Sequence, residues 1–200
     1  AFCGAYQNDE INLKNNNIFV WPDGYYFSKL SKLNIPKLPG RKLLKNMALP
    51  EFIKEIVVIG NLSSKGYYYL KNKFHINITN IELPYGELNE FIDKIPNLKK
   101  NQLCLISLPT PKQEILASYI AATQKNYKII CLGAAINMAS GDETPLPFFL
   151  EKIFIAETVW RLQFESKRRI KRLLSSFNSY IKGKKRGIYD KLIFLKINEK

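Results

Sequence analysis

The sequence predicts an α/β fold, a Rossmann-like and mainly parallel sheet with flanking helices, followed by a basic amphipathic helical appendage. Three observations carry that reading. Short apolar runs without polar alternation recur up to residue 133 and read as strands buried on both faces. Most run into a glycine or proline corner and then a helix signal, the grammar of strands alternating with helices. From about residue 156 the pattern changes to dense cationic charge beside an apolar helical stripe. The chain therefore divides into an α/β domain at residues 1–155 and a C-terminal appendage at 156–200.

Taken in order, Ile18 to Trp21 reads as a short strand that stops at Pro22-Asp23-Gly24 and turns into a helix. A buried strand follows at Ile56 to Ile59, closed by Gly60 and a polar loop in which Ser63 and Ser64 are cap candidates. "HINITNIEL" alternates as a strand should, and "ELNEFIDKI" reads as the helix after it. "QLCLISLP" and "YKIICLG" are two further continuous apolar runs, flanking a helix that contains Lys112 to Ala122. In the tail, Ile170, Leu173, Leu174, Phe177 and Ile181 fall on one helical stripe. Ligands of open parallel sheets collect beyond the carboxyl ends of the strands. That rule puts Asp23, Gly60, the segment 109–114 and Gly133 along one rim.

Composition narrows the function classes. An apolar share of 46% and an aromatic share of 12% describe a chain that folds around a core. No apolar run approaches the ~20 residues of a spanning helix. The chain opens on Ala1 without a basic-then-apolar signal segment, which raises the expectation of a missing upstream piece. Cys3, Cys104 and Cys131 lack metal-type spacing and read as inert core thiols of a reducing compartment. His75 stands alone and reads as a structural or surface residue. Net charge is +14, and residues 151–200 hold 14 Lys+Arg against 5 Asp+Glu. A polyanion, whether nucleic acid or an anionic membrane surface, satisfies that excess on charge alone.

Two polar clusters invite a chemical reading beside a purely structural one. In "TPKQE", Thr110 suits a helix cap, Pro111 the first helical position and Gln113 the third, as in a capping box. Lys112 is left over, because a cation in a first turn opposes the helix dipole. It fits better beside an anion that the helix-start amides help to hold. Asp23 suits a Pro-Asp-Gly turn. It equally suits a carboxylate displayed at the rim to take a proton from an attacking hydroxyl. "LGAAINMASGDETPLP" offers small residues for close ligand approach but no dinucleotide or P-loop fingerprint. Candidate divalent-metal ligands are scattered, so neither a metal nor another cofactor is expected.

In their order and spacing, "PDG" at 22–24, "PTPKQE" at 109–114, "LGAAINMASG" at 132–141, "AETVWRL" at 156–162 and "ESKRRIKRLL" at 165–174 resemble the WecG/TagA/CpsF family of glycosyltransferases. The resemblance implies a metal-independent, inverting transfer of a sugar from a UDP-sugar to a polyprenyl-diphosphate-linked saccharide in surface polysaccharide biosynthesis. It implies an enzyme at the inner, cytoplasmic face of the cell membrane, transferring a hexosyl or N-acetylhexosaminyl group. Asp23 falls on the family's proposed general base. Lys112, Gln113, Glu114, Gly133, Asn137, Glu157 and Arg161 fall in its substrate-binding segments, with Glu114 orienting its neighbours. Lys167, Arg168, Arg169, Lys171 and Arg172 supply the cationic surface of a membrane-docking appendage. This chain departs from the family pattern at Pro109-Thr110 in place of Gly-Ser, at Asn137 in place of Asp, and in "DETPLP", which lacks the expected arginine.

Two alternatives belong beside the enzyme. A basic nucleic-acid-binding protein accounts for the charge, although the tail interleaves few aromatics with its arginines, against base stacking. A catalytically degenerate scaffold accounts for Asn137 and the missing arginine. The enzyme reading leads because the motifs occur in order, so the expected partners are donor, lipid-linked acceptor and membrane, with nucleic acid excluded. The apolar stripe of the tail leaves homo-oligomerisation open.

Overall fold

The computed structural model describes Trp21, Asp23, residues 38–83, 90, 92–142 and, farther on, Leu174, Phe177, Asn178, Ile181 and Lys185. The first element is helix α1, Gly40–Asn46. Then come strand β1, Glu55–Gly60, helix α2, Ser64–Phe74, and strand β2, Asn77–Ile81. A 3-10 turn at Ile92–Lys94 leads to β3, Gln102–Ser107, and helix α3, Lys112–Thr123. Strand β4, Ile129–Cys131, and the short helix α4, Ala135–Ala139, follow. The four strands form one parallel sheet in the order β2-β1-β3-β4. This is the α/β, Rossmann-like arrangement that the sequence predicts. The strand predicted at Ile18 to Trp21 lies outside the described residues except for Trp21.

Side-chain alternation along β1 and β3 builds two cores from one sheet. Ile56, Val58, Leu103 and Leu105 point to the face covered by Leu44 of α1, Leu70 of α2 and Ile136 of α4. Val57, Ile59, Cys104 and Ile106 point to the opposite face, covered by Leu116 and Ile120 of α3. A strand with apolar partners on both sides has no use for polar alternation, which is why β1 and β3 read as unbroken runs. Burial pushes the Cys104 thiol up to about 12, in keeping with an inert core thiol.

The chain leaves β1 toward β2 on one side and leaves β3 toward β4 on the other. The crossover helices α2 and α3 therefore lie on opposite faces, and the carboxyl ends of β1 and β3 flank the point where the winding reverses. Gly60 makes that junction tight. Its φ of +121° is foreign to L side chains, and a Cβ there would sit 2.5 Å from the carbonyl oxygen of Ser107. At the amino ends of the same strands, Glu55 acts as a clamp. Its Oε1 accepts from Thr79 Oγ1 at 2.6 Å and its Oε2 from Gln102 Nε2 at 2.7 Å.

Two local expectations need correction. "ELNEFIDKI" contributes only the 3-10 turn among its described residues, because Pro96 disfavours helical backbone at Ile95 and supplies no N–H to extend it. Thr110 is not the cap of α3: Pro111 occupies the cap position and no side chain caps the first amides. The expectation at the other crossover holds. Ser63 caps α2, its Oγ accepting from the Gly66 N–H at 3.0 Å.

These contacts set two expectations. Gly60→Ala should destabilise the protein by about 2–4 kcal/mol, through forbidden backbone and overpacking together, and a lowered urea midpoint would show it. The hydrogen bonds from Gln102 and Thr79 hold the Glu55 carboxyl below its ordinary value of 4.5. Its contribution to stability is therefore present above that value and is lost as pH falls through the lower, folded one. Urea midpoints at pH 6 and pH 3 should differ less in Glu55→Gln than in the parent chain; an identical difference would remove Glu55 from the acid response.

Candidate active site

Three corners meet where the winding reverses, and one hydroxyl ties them. Ser107, the last residue of β3, is buried, with its Oγ 3.0 Å from the Asn61 carbonyl oxygen after β1 and 2.9 Å from that of Gly133 after β4. The β4 corner folds inward because the N–H groups of Leu132 and Gly133 both donate to the Ile106 carbonyl, at 2.9 and 3.2 Å. Sequence reading passed over Ser107 as a strand end. Its only signal is a hydroxyl closing an otherwise apolar run.

The β3 corner carries the "TPKQE" cluster. Gln113 is buried, and its amide Nε2 donates to Thr110 Oγ1 at 3.1 Å and to Glu114 Oε1 at 2.8 Å. Thr110 Oγ1 in turn donates to Glu114 Oε1 at 3.1 Å. These bonds fix which way the Gln113 amide faces. Its carbonyl Oε1 lies under Gly133, 3.7 Å from where a Cβ on that glycine would stand. Gln113 Oε1 and Glu114 Oε2 are both buried without a hydrogen-bond partner. Two buried acceptors so close together cost stability unless a donor reaches them. Lys112 is half-buried at the same helix start. Cys131 donates its thiol to the backbone carbonyl of Gln113 at 3.6 Å. Burial, with the Glu114 carboxylate and Cys104 adding to it, pushes that thiol up to about 12, in keeping with an inert core thiol.

Asn137 on α4 faces the β1 corner. Its Oδ1 lies 3.3 Å from Ser63 Oγ and 3.5 Å from Ser63 N, both of which donate to it at the start of α2. This pairing joins residues 74 apart and has no local sequence signal. On the same side of the rim, Asp23 Oδ1 accepts from the Gly40 N–H at 2.7 Å, the first amide of α1. A Cβ on Gly40 would lie 3.0 Å from the Ala135 Cβ, so the missing side chain brings α1, and Asp23 with it, against the β4 corner. Trp21, whose carbonyl accepts from Asp23 N at 2.9 Å, packs on the core beneath. Asp23 itself is exposed.

The predicted residues Asp23, Gln113, Glu114, Gly133 and Asn137 thus converge along one rim, and Gly40, Ser63 and Ser107 join them. Glu157, Arg161, Lys167, Arg168, Arg169, Lys171 and Arg172 lie outside the described residues. Among the described residues no three His, Cys, Asp or Glu side chains gather as a metal-binding group.

The family model of the glycosyl transferase WecG/TagA/CpsF family matches residues 13–182. The chain belongs to that family. The match runs from before Asp23 to beyond Phe177, so it takes in the whole rim and most of the basic appendage. Neither the curated proteins nor the solved structures give a match. Membership makes the protein a glycosyltransferase.

Asn137 stands at the positive end of α2, where a carboxylate is favoured. Asn137→Asp should stabilise the protein by about 0.5–1 kcal/mol in low salt, an effect reduced in 1 M salt. Chemical unfolding at both salt concentrations checks it.

Proposed function

We propose that this glycosyltransferase transfers a sugar from a UDP-sugar, with inversion, to a saccharide carried on a polyprenyl diphosphate, working against the inner face of the cell membrane in surface polysaccharide biosynthesis. The observation that carries the reading is the convergence of Asp23, Gln113, Gly133 and Asn137 at the point where the sheet reverses its winding. Asp23 acts as general base: its carboxylate takes the proton of the acceptor hydroxyl as that oxygen attacks the anomeric carbon, and the nucleotide diphosphate departs. The Gly40 N–H fixes Oδ1 and so orients the carboxylate. Gln113 Oε1 and Glu114 Oε2 accept hydrogen bonds from hydroxyl or N–H groups of the donor. Lys112, Glu157 and Arg161 complete the substrate site. The division at residue 155 sets off the appendage, which lends Glu157 and Arg161 to this site and whose Lys167, Arg168, Arg169, Lys171 and Arg172 meet the anionic leaflet.

No helix among the described residues is long and apolar enough to cross a membrane. Leu174, Phe177 and Ile181 are helical and exposed, an apolar stripe with nothing packed over most of it, as an interfacial helix requires.

The decisive experiment pairs ligand binding with turnover. UDP or a UDP-sugar at 100 times its dissociation constant should stabilise the chain by about 2.7 kcal/mol, read as a rise in melting temperature that Gln113→Ala reduces. Asp23→Asn keeps an oxygen for the Gly40 N–H and removes the base, so it should fold normally and transfer ~10²–10⁴-fold more slowly. Unchanged turnover would sink the role of Asp23, and no shift with any UDP compound would sink the donor assignment.

A further inference from the structure

Among the described helices, α1 and α2 stand apart in charge. Between them they hold Arg41, Lys42, Lys45, Lys65, Lys71 and Lys73 and not one acidic residue. Residues 1–150 contain 17 basic and 12 acidic side chains in all, so removing these six leaves eleven against twelve. The whole positive excess of that part of the chain therefore sits on two helices. Both cover the same face of the sheet, anchored by Leu44 and Leu70 in one cluster. Their ends are joined where Lys73 Nζ donates to the Lys45 carbonyl at 2.6 Å. On α2 the exposed positions are Ser64, Lys65, Tyr68, Lys71 and Asn72, a single stripe, and α1 exposes Lys42, Lys45 and Asn46. Lys65 is paired with Asp142 at 3.6 Å.

We infer that the outer face of α1 and α2 is a second membrane-contact surface, one that binds the phosphate headgroups of an anionic leaflet independently of the appendage. The inference rests on the peripheral-membrane reading above. Charge complementarity is its first support: the two helices bring no carboxylate of their own, Asp142 offsets Lys65 alone, and lysines close to an anionic surface attract it additively. Tyr68 is the second. It is 63% exposed in the middle of the lysines, and an amphipathic ring of that kind suits the headgroup region. The exposed apolar stripe of Leu174, Phe177 and Ile181 elsewhere on the chain favours lipid over nucleic acid as the shared partner. Both helices also begin at the rim, α1 beside Asp23 and α2 beside Asn137. A leaflet lying along this face would run up to the edge of the candidate site.

The test uses the full chain, co-sedimented with vesicles of phosphatidylglycerol and phosphatidylcholine or of phosphatidylcholine alone. Lys45→Gln/Lys71→Gln should weaken binding to the anionic vesicles about thirtyfold, which is ~2 kcal/mol at ~1 kcal/mol per lysine. Binding to phosphatidylcholine and the melting temperature should hardly move. Lys42→Gln/Lys65→Gln, on the same face, should act likewise and guards against a folding defect in the first pair. A Leu174→Ser/Phe177→Ser/Ile181→Ser variant reports on the appendage separately. If only that triple variant loses vesicle binding, the face is no contact and the peripheral-membrane reading survives without it. If the parent binds neither vesicle, both ideas fall. If the lysine variants lose affinity for duplex DNA and keep it for vesicles, the face belongs to nucleic acid instead.

Discussion

The rim depends on how closely β1 and β3 approach at their carboxyl ends. Gly60 lets the backbone of one strand lie against the Ser107 carbonyl of the other, and the Ser107 hydroxyl then reaches the two loops on either side. A β-carbon at residue 60 would push these strand ends apart just where helices α2 and α3 leave for opposite faces. The two cores below would survive such a push more easily, because they rest on many apolar contacts spread over both faces of the sheet. The convergence of Asn61, Ser107 and Gly133 rests on that hydroxyl and on the two backbone bonds that Leu132 and Gly133 donate to the Ile106 carbonyl.

The two ends of the sheet treat polar atoms in opposite ways. At the amino end Glu55 uses both carboxylate oxygens on neighbours from the flanking strands, a closed arrangement that serves stability. At the carboxyl end Gln113 and Glu114 donate and accept among themselves and with Thr110, yet each keeps one buried oxygen unpartnered. Local rules of polar satisfaction are broken at one end and obeyed at the other. Such breaches concentrate where a ligand completes the bonding.

What could be read from the sequence follows the range of the interaction responsible. β1 and β3 were legible because burial on both faces imposes an unbroken apolar run. Ser63 was legible because a cap bonds three residues onward. The corner at Thr110 misled, since the same Thr-Pro-x-Gln string serves a capping box or, as here, a side-chain network reaching Glu114. At 92–94 the chain forms a 3-10 turn where a helix was expected, and Pro96 supplies no N–H to carry it further. Asp23 with Gly40 and Ser63 with Asn137 are contacts between distant segments: the carboxyl-end rule put Asp23 on the rim and the motif resemblance marked Asn137, but neither pointed to their partners.

Helix α1 ties the chemistry to the surface. Its first amide holds Asp23, its single glycine lets it press on α4, and its exposed side carries Lys42 and Lys45. Seven residues at ~1.5 Å each make it about 10 Å long, too short to bend appreciably between those tasks. Whatever its outer face binds therefore acts on a rigid body whose other end positions the proposed base. An exposed carboxylate on a free loop would have no such link. Because the Asp23 oxygen is bonded to α1 itself, a contact that fixes α1 also restrains that carboxylate, the base of the proposed mechanism.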